Sequence, residues 1–286
     1  MIMNRFISFV LACLLLFLPS HAQQKELDKA SFCCIYQHTV KTFDLNGHAV
    51  SDSTIAILEV GDGVAKYGDY FAYSGQKPKE YAVEYMEGDP RASDWTTVYQ
   101  NYPRTGSITV REGLLPCFYS YEEPIALNWK LVEGQENLLG YKCKRAIAEY
   151  GGRTWAACYA ENIPSMNGPW KLTGLPGFIL KAESTDGVHR FEAKCLYKVA
   201  AQSIPFEKDE TDVSISRHKF ITHRNRLKTD KRWPRNAGYY LNGTDIKSVT
   251  IIKKNDHGLA PGMIVNNIGL PVNGGFEHLF QPLELY

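Results

Sequence analysis

The chain lacks a charge excess of either sign. Its 286 residues carry 32 lysines and arginines against 31 aspartates and glutamates. A phosphate-binding surface needs a clear basic surplus, so nucleic acid is excluded as a general partner. A second long apolar run is also missing, and nothing beyond the amino end approaches the roughly 20 apolar residues of a membrane-spanning helix. The short patterns that mark chemistry are missing too: no Gly-x-Ser-x-Gly elbow, no His-Glu-x-x-His or Cys-x-x-Cys, and no Gly-Lys-Ser/Thr phosphate loop. Glu122 and Glu123 are adjacent carboxylates, but neighbours on a strand face opposite ways and do not flank one bond. These patterns assign no catalytic residue, metal ligand or cofactor. Internal repeats and low-complexity linkers are absent as well.

What is present begins with an export signal. A single cation, Arg5, precedes the apolar run Phe6 to Leu18, and Pro19-Ser20-His21-Ala22 follows. A positive tip, a short apolar core and small residues for the peptidase make residues 1–22 a signal peptide. As a helix the run is about 20 Å long against a hydrocarbon core of about 30 Å, so it makes a poor permanent anchor. Cleavage is expected after Ala22. Val10-Leu11-Ala12-Cys13 offers a rival reading as a lipoprotein acylation site, although the apolar run continues past Cys13. With the signal goes only Arg5 of the charged residues, so the remaining 264 residues balance 31 basic against 31 acidic side chains. The expected product is an exported protein of the periplasm or outer membrane surface, without a transmembrane span once the signal is cleaved. Residues 23–286 are expected to form a single β-rich domain.

Six cysteines remain after Cys13 leaves: Cys33, Cys34, Cys117, Cys143, Cys158 and Cys195. An oxidising compartment favours disulfides, and the candidate pair is Cys143 with Cys158. Tyr141 to Tyr150 and Arg153 to Ala160 read as two strands meeting near Gly151-Gly152. A Tyr150-Gly151 turn sets the two cysteines opposite each other. A Gly151-Gly152 turn sets them diagonally, where a bridge is strained because Cβ atoms must lie near 3.8 Å. Cys33 and Cys34, adjacent on a strand, point to opposite faces and cannot easily share one metal, even with His38 nearby.

Along the chain, short alternating segments are separated by glycine, asparagine or aspartate. Strands are expected at Phe32 to Phe43, Asp52 to Val60, Val64 to Tyr73, Trp95 to Tyr102, Gly106 to Glu112, Cys117 to Tyr121 and Ile125 to Val132. After the Gly151 hairpin come a proline-glycine loop from Ile163 to Pro176, then Phe178 to Ser184 and Val188 to Val199 around the turn Thr185-Asp186-Gly187. Such local pairings need no helical crossover, so the sheet should be antiparallel. A helical turn is expected near Lys79 to Glu87. A basic helix is expected from about Ser214 to Asp230, ended by Pro234 and packed by one edge on the sheet. The stretch Gly238 to Tyr286 reads as loop-rich. The fold class is mainly β: a curved antiparallel sheet, open-barrel or bowl-like, with one or two short helices.

The stretch Gly168-Pro169-Trp170-Lys171-Leu172-Thr173-Gly174-Leu175-Pro176-Gly177-Phe178-Ile179-Leu180 resembles the signature of the GLPGLI family, exported proteins of Bacteroidota, with Phe178 in place of the second leucine. Gly140 to Ala146, Gly152-Arg153-Thr154-Trp155, Tyr159, Ile163-Pro164, the helix start from Ser216-Arg217 to Phe220, and Pro282-Leu283-Glu284-Leu285 are similar to the family pattern. Cys158 stands where that pattern has an aromatic. The resemblance covers roughly residues 120–286. It implies no established activity; it implies companions among outer-membrane receptors and envelope enzymes, and a likeness to the bowl-shaped amino-terminal domain of some glycan-cleaving enzymes. Read physically, Gly168, Pro169, Gly174, Leu175, Pro176 and Gly177 form a tight corner into a strand, with the glycines permitting positive φ or close approach and Leu175 buried.

Three functions stay open. The first is a non-catalytic binding or assembly module of the cell envelope, with a glycan or hydrophobic ligand or an envelope protein as partner. Trp129, Trp155, Tyr159 and Trp170 would line its concave face. The second is a peptide or glycan hydrolase using Cys158 and a spatially adjacent histidine. The third is a metal-handling protein using Cys33, Cys34 and His38.

Overall fold

The computed structural model describes residues 25–43, 46–70, 73, 81–85, 96–114, 117–208, 212–229, 249–253, 268–270 and 281–286. Residues 1–22, expected as a signal peptide, lie outside these residues. The chain runs β1 (Glu26–Phe43), β2 (Ala49–Val60), β3 (Ala65–Asp69), β4 (Tyr81–Tyr85), β5 (Thr96–Gln100), β6 (Ser107–Leu114), β7 (Cys117–Pro124) and β8 (Lys130–Leu138). It continues with β9 (Tyr141–Tyr150), β10 (Arg153–Ala160), β11 (Phe178–Ser184), β12 (His189–Pro205), β13 (Val213–Ser214), α1 (Arg217–Thr229), β14 (Val249–Lys253) and β15 (Ile268–Leu270). Twelve strands form one open sheet in the order β13-β7-β6-β5-β3-β2-β1-β12-β11-β10-β9-β8, antiparallel throughout except for the short parallel pair β13–β7. The expected mainly-β, antiparallel architecture is the one observed. Lys79 to Glu87 departs from expectation. Instead of a helical turn, its Tyr81–Tyr85 portion is a strand paired with Val249–Lys253, as the aromatic and β-branched alternation of Tyr-Ala-Val-Glu-Tyr favours.

Connectivity forces the sheet to bend. β7 and β8 are consecutive in sequence, yet ten inter-strand steps separate them in the sheet. Laid flat, ten steps of about 4.8 Å put these strands roughly 48 Å apart. The link from Pro124 to Lys130 reaches at most about 21 Å. The sheet must therefore roll until its two margins approach each other. Ile125, Leu127 and Trp129 on the link are partly buried while Ala126 and Asn128 are exposed. The link thus keeps the alternation of a strand; only Ile125, whose amide donates to Gly106 O at 2.9 Å, still pairs before the chain crosses the opening.

The rolled sheet encloses one hydrophobic cluster, drawing Cys34, Tyr36 and Leu58 from the middle strands, Val98 and Val110 from β5 and β6, and Trp155 and Phe191 from β10 and β12. Into this concavity folds the 161–177 loop. Leu172, Leu175 and Phe178 are fully buried, and Gln100 of β5 donates from Nε2 to the carbonyls of Gly168 and Trp170, both at 2.7 Å. Gly177 has φ +153°, and a Cβ there would lie 2.5 Å from the carbonyl oxygen of Ala160, so only glycine fits where the loop enters β11. The motif is a plug for the bowl as well as a corner.

α1 caps the β7 side of the opening. Phe220 and Ile221 are buried, with Phe220 set 5.2 Å from the Tyr121 ring, while most of the remaining described side chains of the helix face outward. The helix packs by one edge, as its sparse apolar residues require.

Candidate functional site

The most concentrated polar chemistry lies at the seam where the margins of the sheet meet. Lys171 comes from the plug loop, Tyr121 and Glu123 from β7, Arg217 and Arg224 from α1, Glu112 from β6, and Glu284 from the segment 281–286. Lys171 is fully buried. Its ammonium donates to Tyr121 Oη at 2.8 Å and to both oxygens of Glu284 at 2.9 and 3.0 Å. It lies 2.6 Å from Glu123 Oε1, and Arg217 Nε lies 2.9 Å from Glu123 Oε2; these two contacts are ion pairs whose angles fall outside hydrogen-bond geometry. Arg217 Nη2 donates to Glu284 Oε1 at 2.7 Å. Arg224 lies 3.4 Å from Glu112 Oε2. Three cations thus face three carboxylates, which is the condition for burying charge at all. Burial pushes the Glu284 carboxyl up, but Lys171 and Arg217 outweigh it and hold the group below the usual carboxylate range. The rings of Tyr121, Trp170 and Tyr150 surround the ammonium at 4.9, 5.3 and 5.7 Å.

The same seam grips the main chain of residues 281–286. The amide of Leu285 donates to Gly151 O at 2.7 Å. Arg153 donates to Pro282 O from Nη2 at 2.8 Å, and Asn225 donates to Glu284 O at 3.1 Å. Gly151 and Gly152 form the β9–β10 turn with φ +60° and +81°. A Cβ on Gly151 would stand 2.8 Å from Glu284 Cγ, and one on Gly152 would stand 2.8 Å from the Tyr286 ring. The glycine pair therefore serves the turn and the close approach of the segment together.

A buried histidine pair continues the network. His38 and His189 stack at 5.4 Å, with His38 Nε2 3.2 Å from His189 Nδ1 and His189 Nε2 3.2 Å from Pro282 O. A carbonyl only accepts, so His189 carries its proton on Nε2, its Nδ1 accepts, and His38 donates from Nε2. Burial, with Arg153 adding to it, pushes His189 down to about 4. Burial and the neighbouring His189 hold His38 well below its ordinary value. Both rings are neutral at neutral pH, and they pass one directional chain of hydrogen bonds to the segment.

The residues singled out in the sequence fall as follows. Trp155, Tyr159 and Trp170 are buried, and Trp155 and Trp170 meet at 5.9 Å. They fill the bowl together with the plug. Trp129 is partly buried and donates from Nε1 to Thr173 O at 2.8 Å. The Cys143–Cys158 bridge is not formed. The β9–β10 turn is Gly151-Gly152, Cys158 stands opposite Arg145, and the two cysteines are diagonal. Diagonal Cα atoms lie about 7–8 Å apart, too far for a relaxed bridge. Cys33, Cys34, Cys143, Cys158 and Cys195 form no disulfide. Cys158 donates to Glu136 Oε2 at 3.3 Å, and Lys181 donates to the same carboxylate at 2.9 Å. Burial, with Glu136 adding to it, pushes the Cys158 thiol up to about 12. No histidine shares that network, so the thiol is held protonated by a carboxylate too weak to take its proton. On β1, Cys33 and Cys34 face opposite ways, and the His38 ring is engaged by His189. Among the described residues no cluster of three histidine, cysteine or acidic side chains could hold a metal ion.

Lys171, Glu284, Arg217 and Glu123 escaped the sequence reading. The signal was there in the motif: a lone lysine between tryptophan and leucine in a stretch otherwise built for burial must bury its charge with a partner.

No protein-family model matches the chain, and no curated protein matches it. Solved structures of PNGF-II in space groups P21 and C2 are similar to it at 13% identity, with TM-scores of 0.44 and 0.45. They cover 67% of this chain and 32% of PNGF-II, so the chain spans about a third of that protein's length. A domain from Vibrio parahaemolyticus assigned to outer membrane lipoprotein sorting is 6% identical with a TM-score of 0.20, covering 59% of this chain and 85% of the other. Nothing about function follows from likenesses this distant. Among the described residues no helix is long and apolar enough to cross a membrane.

Proposed function

We propose that this chain is a non-catalytic binding or assembly module of the cell envelope, exported by its amino-terminal signal and belonging to the GLPGLI family. One observation carries the reading: the seam devotes its buried charges to gripping residues 281–286 through both backbone and a carboxylate. That is recognition chemistry, since every charge is matched and none is left to polarise or deprotonate a substrate. Two further features support it. The thiol that a hydrolase would use is held neutral, and the aromatic residues expected to line a cavity are spent on the plug.

The test has two parts. Protein purified from its own envelope is examined by native mass spectrometry, and the folded chain is treated with iodoacetamide at pH 7.5. The expected results are a retained peptide, glycan or hydrophobic ligand and slow alkylation of Cys158. Rapid alkylation of Cys158 in the folded chain, or turnover of peptide or glycan substrates, would overturn the reading in favour of a hydrolase.

A further inference from the structure

Resting on that reading, we propose that the seam is a peptide-recognition groove, and that its ligand is an extended segment with one glutamate between apolar residues. Residues 282–285 are the resident occupant of a site that accepts the same chemistry from another chain. The contacts grip the segment largely by its main chain. Backbone groups of Pro282, Glu284 and Leu285 are held by Arg153, Asn225 and Gly151, none of which reads side-chain identity. Identity is read at one point, where the Glu284 side chain enters fully buried between Lys171 and Arg217. Leu285 and Tyr286 remain exposed at 48% and 72%. A segment that only filled the core would bury its apolar side chains and expose its carboxylate. Here Leu283 packs partly against the core, but the carboxylate of Glu284 is the one side chain fully sealed.

The groove walls belong to elements that the sheet and α1 position independently of the occupant. Gly151-Gly152 is the turn of a hairpin paired from Tyr150–Arg153 outward. Arg217 and Asn225 lie on a helix anchored by Phe220 and Ile221. Lys171 is carried by the plug, itself tied to Gln100. Vacating the site would leave Lys171, Arg217 and Arg224 facing only Glu123 and Glu112, a deficit that a ligand carboxylate would fill.

The experiment uses the full chain and a fluorescein-labelled synthetic peptide of residues 281–286, read by anisotropy. In the wild-type chain the tethered segment competes, so peptide binding is weak. Glu284→Gln removes the charge of the resident and should raise affinity for the labelled peptide by about tenfold or more, whereas a peptide with glutamine in place of its glutamate loses about tenfold. Light scattering over a concentration series separates the sources of the ligand. Concentration-dependent dimers of the Glu284→Gln chain, dissociated by the free peptide, identify a second copy; a monomer that binds peptide identifies a different chain. Equal, negligible binding to folded wild-type and Glu284→Gln chains overturns the proposal. Should Glu284→Gln fail to fold, a specific protease site placed within residues 271–280 and cut after folding unties the resident. The cut wild-type chain should then exchange it for labelled peptide, and a folded, cut chain that takes up none also overturns the proposal. Either failure, with a co-purified ligand still present, leaves the binding-module reading standing; substrate turnover overturns both.

Discussion

Two ionic clusters in this protein use the same residue types in opposite surroundings. At the seam, Lys171 and Glu284 are essentially sealed, with side-chain exposures of 1% and 0%. Between β11 and the edge strand β8, Lys181 and Glu136 form a similar pair at 17% and 36%. The first draws together the plug, β6, β7, α1 and the 281–286 segment; the second joins strands already held by their ladders. A buried charge must be answered in full, so the seam specifies an arrangement, whereas a half-solvated pair only decorates one.

That contrast can be broken most directly at Lys171. Lys171→Ala leaves Glu123 and Glu284 sharing Arg217 alone, and should cost about 3–5 kcal/mol in urea unfolding. The double change Lys171→Met with Glu284→Leu removes charge from both sides and should recover most of that loss. If the double variant is no more stable than Lys171→Ala, the cluster is not the charge-balanced unit described.

Acid provides the next largest effect. The folded-state pKa of His189, about 4, lies below its unfolded value near 6.5. Its contribution is therefore complete above pH 6.5 and is lost as pH falls towards 4, because the unfolded chain takes up the proton first. Stability should drop by about 2 kcal/mol between pH 7 and pH 5, with His38 adding in the same direction. Glu284, held low, loses its contribution only below the usual carboxylate range. Urea midpoints that do not move over that pH range would contradict the neutral pair.

Gly151→Ala sharpens the comparison from the backbone side. Strain at φ +60° and contact with the anchored Glu284 side chain should together cost about 2 kcal/mol. Gly187→Ala, at a turn with φ +72° and open space around it, should cost about 1 kcal/mol. The excess measures the approach of the segment to the hairpin. The smallest effect belongs to the outer pair: Lys181→Ala should change thermal stability by less than about 1 kcal/mol and weaken further in salt.

Much of the architecture was legible because hairpins are local. Tyr141–Tyr150, Arg153–Ala160 and Phe178–Ser184 fall where alternation and the Gly-Gly and Asp-Gly turns place them. The register at Gly151 was left between two options, since a glycine pair next to a tyrosine admits either turn; the disulfide followed the option that did not occur. β13 and the pairing of β4 with β14 were illegible, for they join residues far apart in sequence through segments too short to show a period. The helix was read within three residues of its start, because Pro234 and the scarcity of apolar residues bound it. The site was the hardest part. Sequence reasoning found the glycines, the prolines and Trp170 of the plug but passed over Lys171, since no local pattern announces that Glu284, more than a hundred positions away, will answer its charge.

The link from Ile125 to Trp129 carries a mechanical corollary. It acts as a bowstring across the curved sheet, and its length sets a ceiling on how far the two limbs can spring apart. Trp129 moors its far end by donating from Nε1 to Thr173 O at 2.8 Å, so lengthening a cord of about 21 Å at full stretch by a few residues would let the limbs part further.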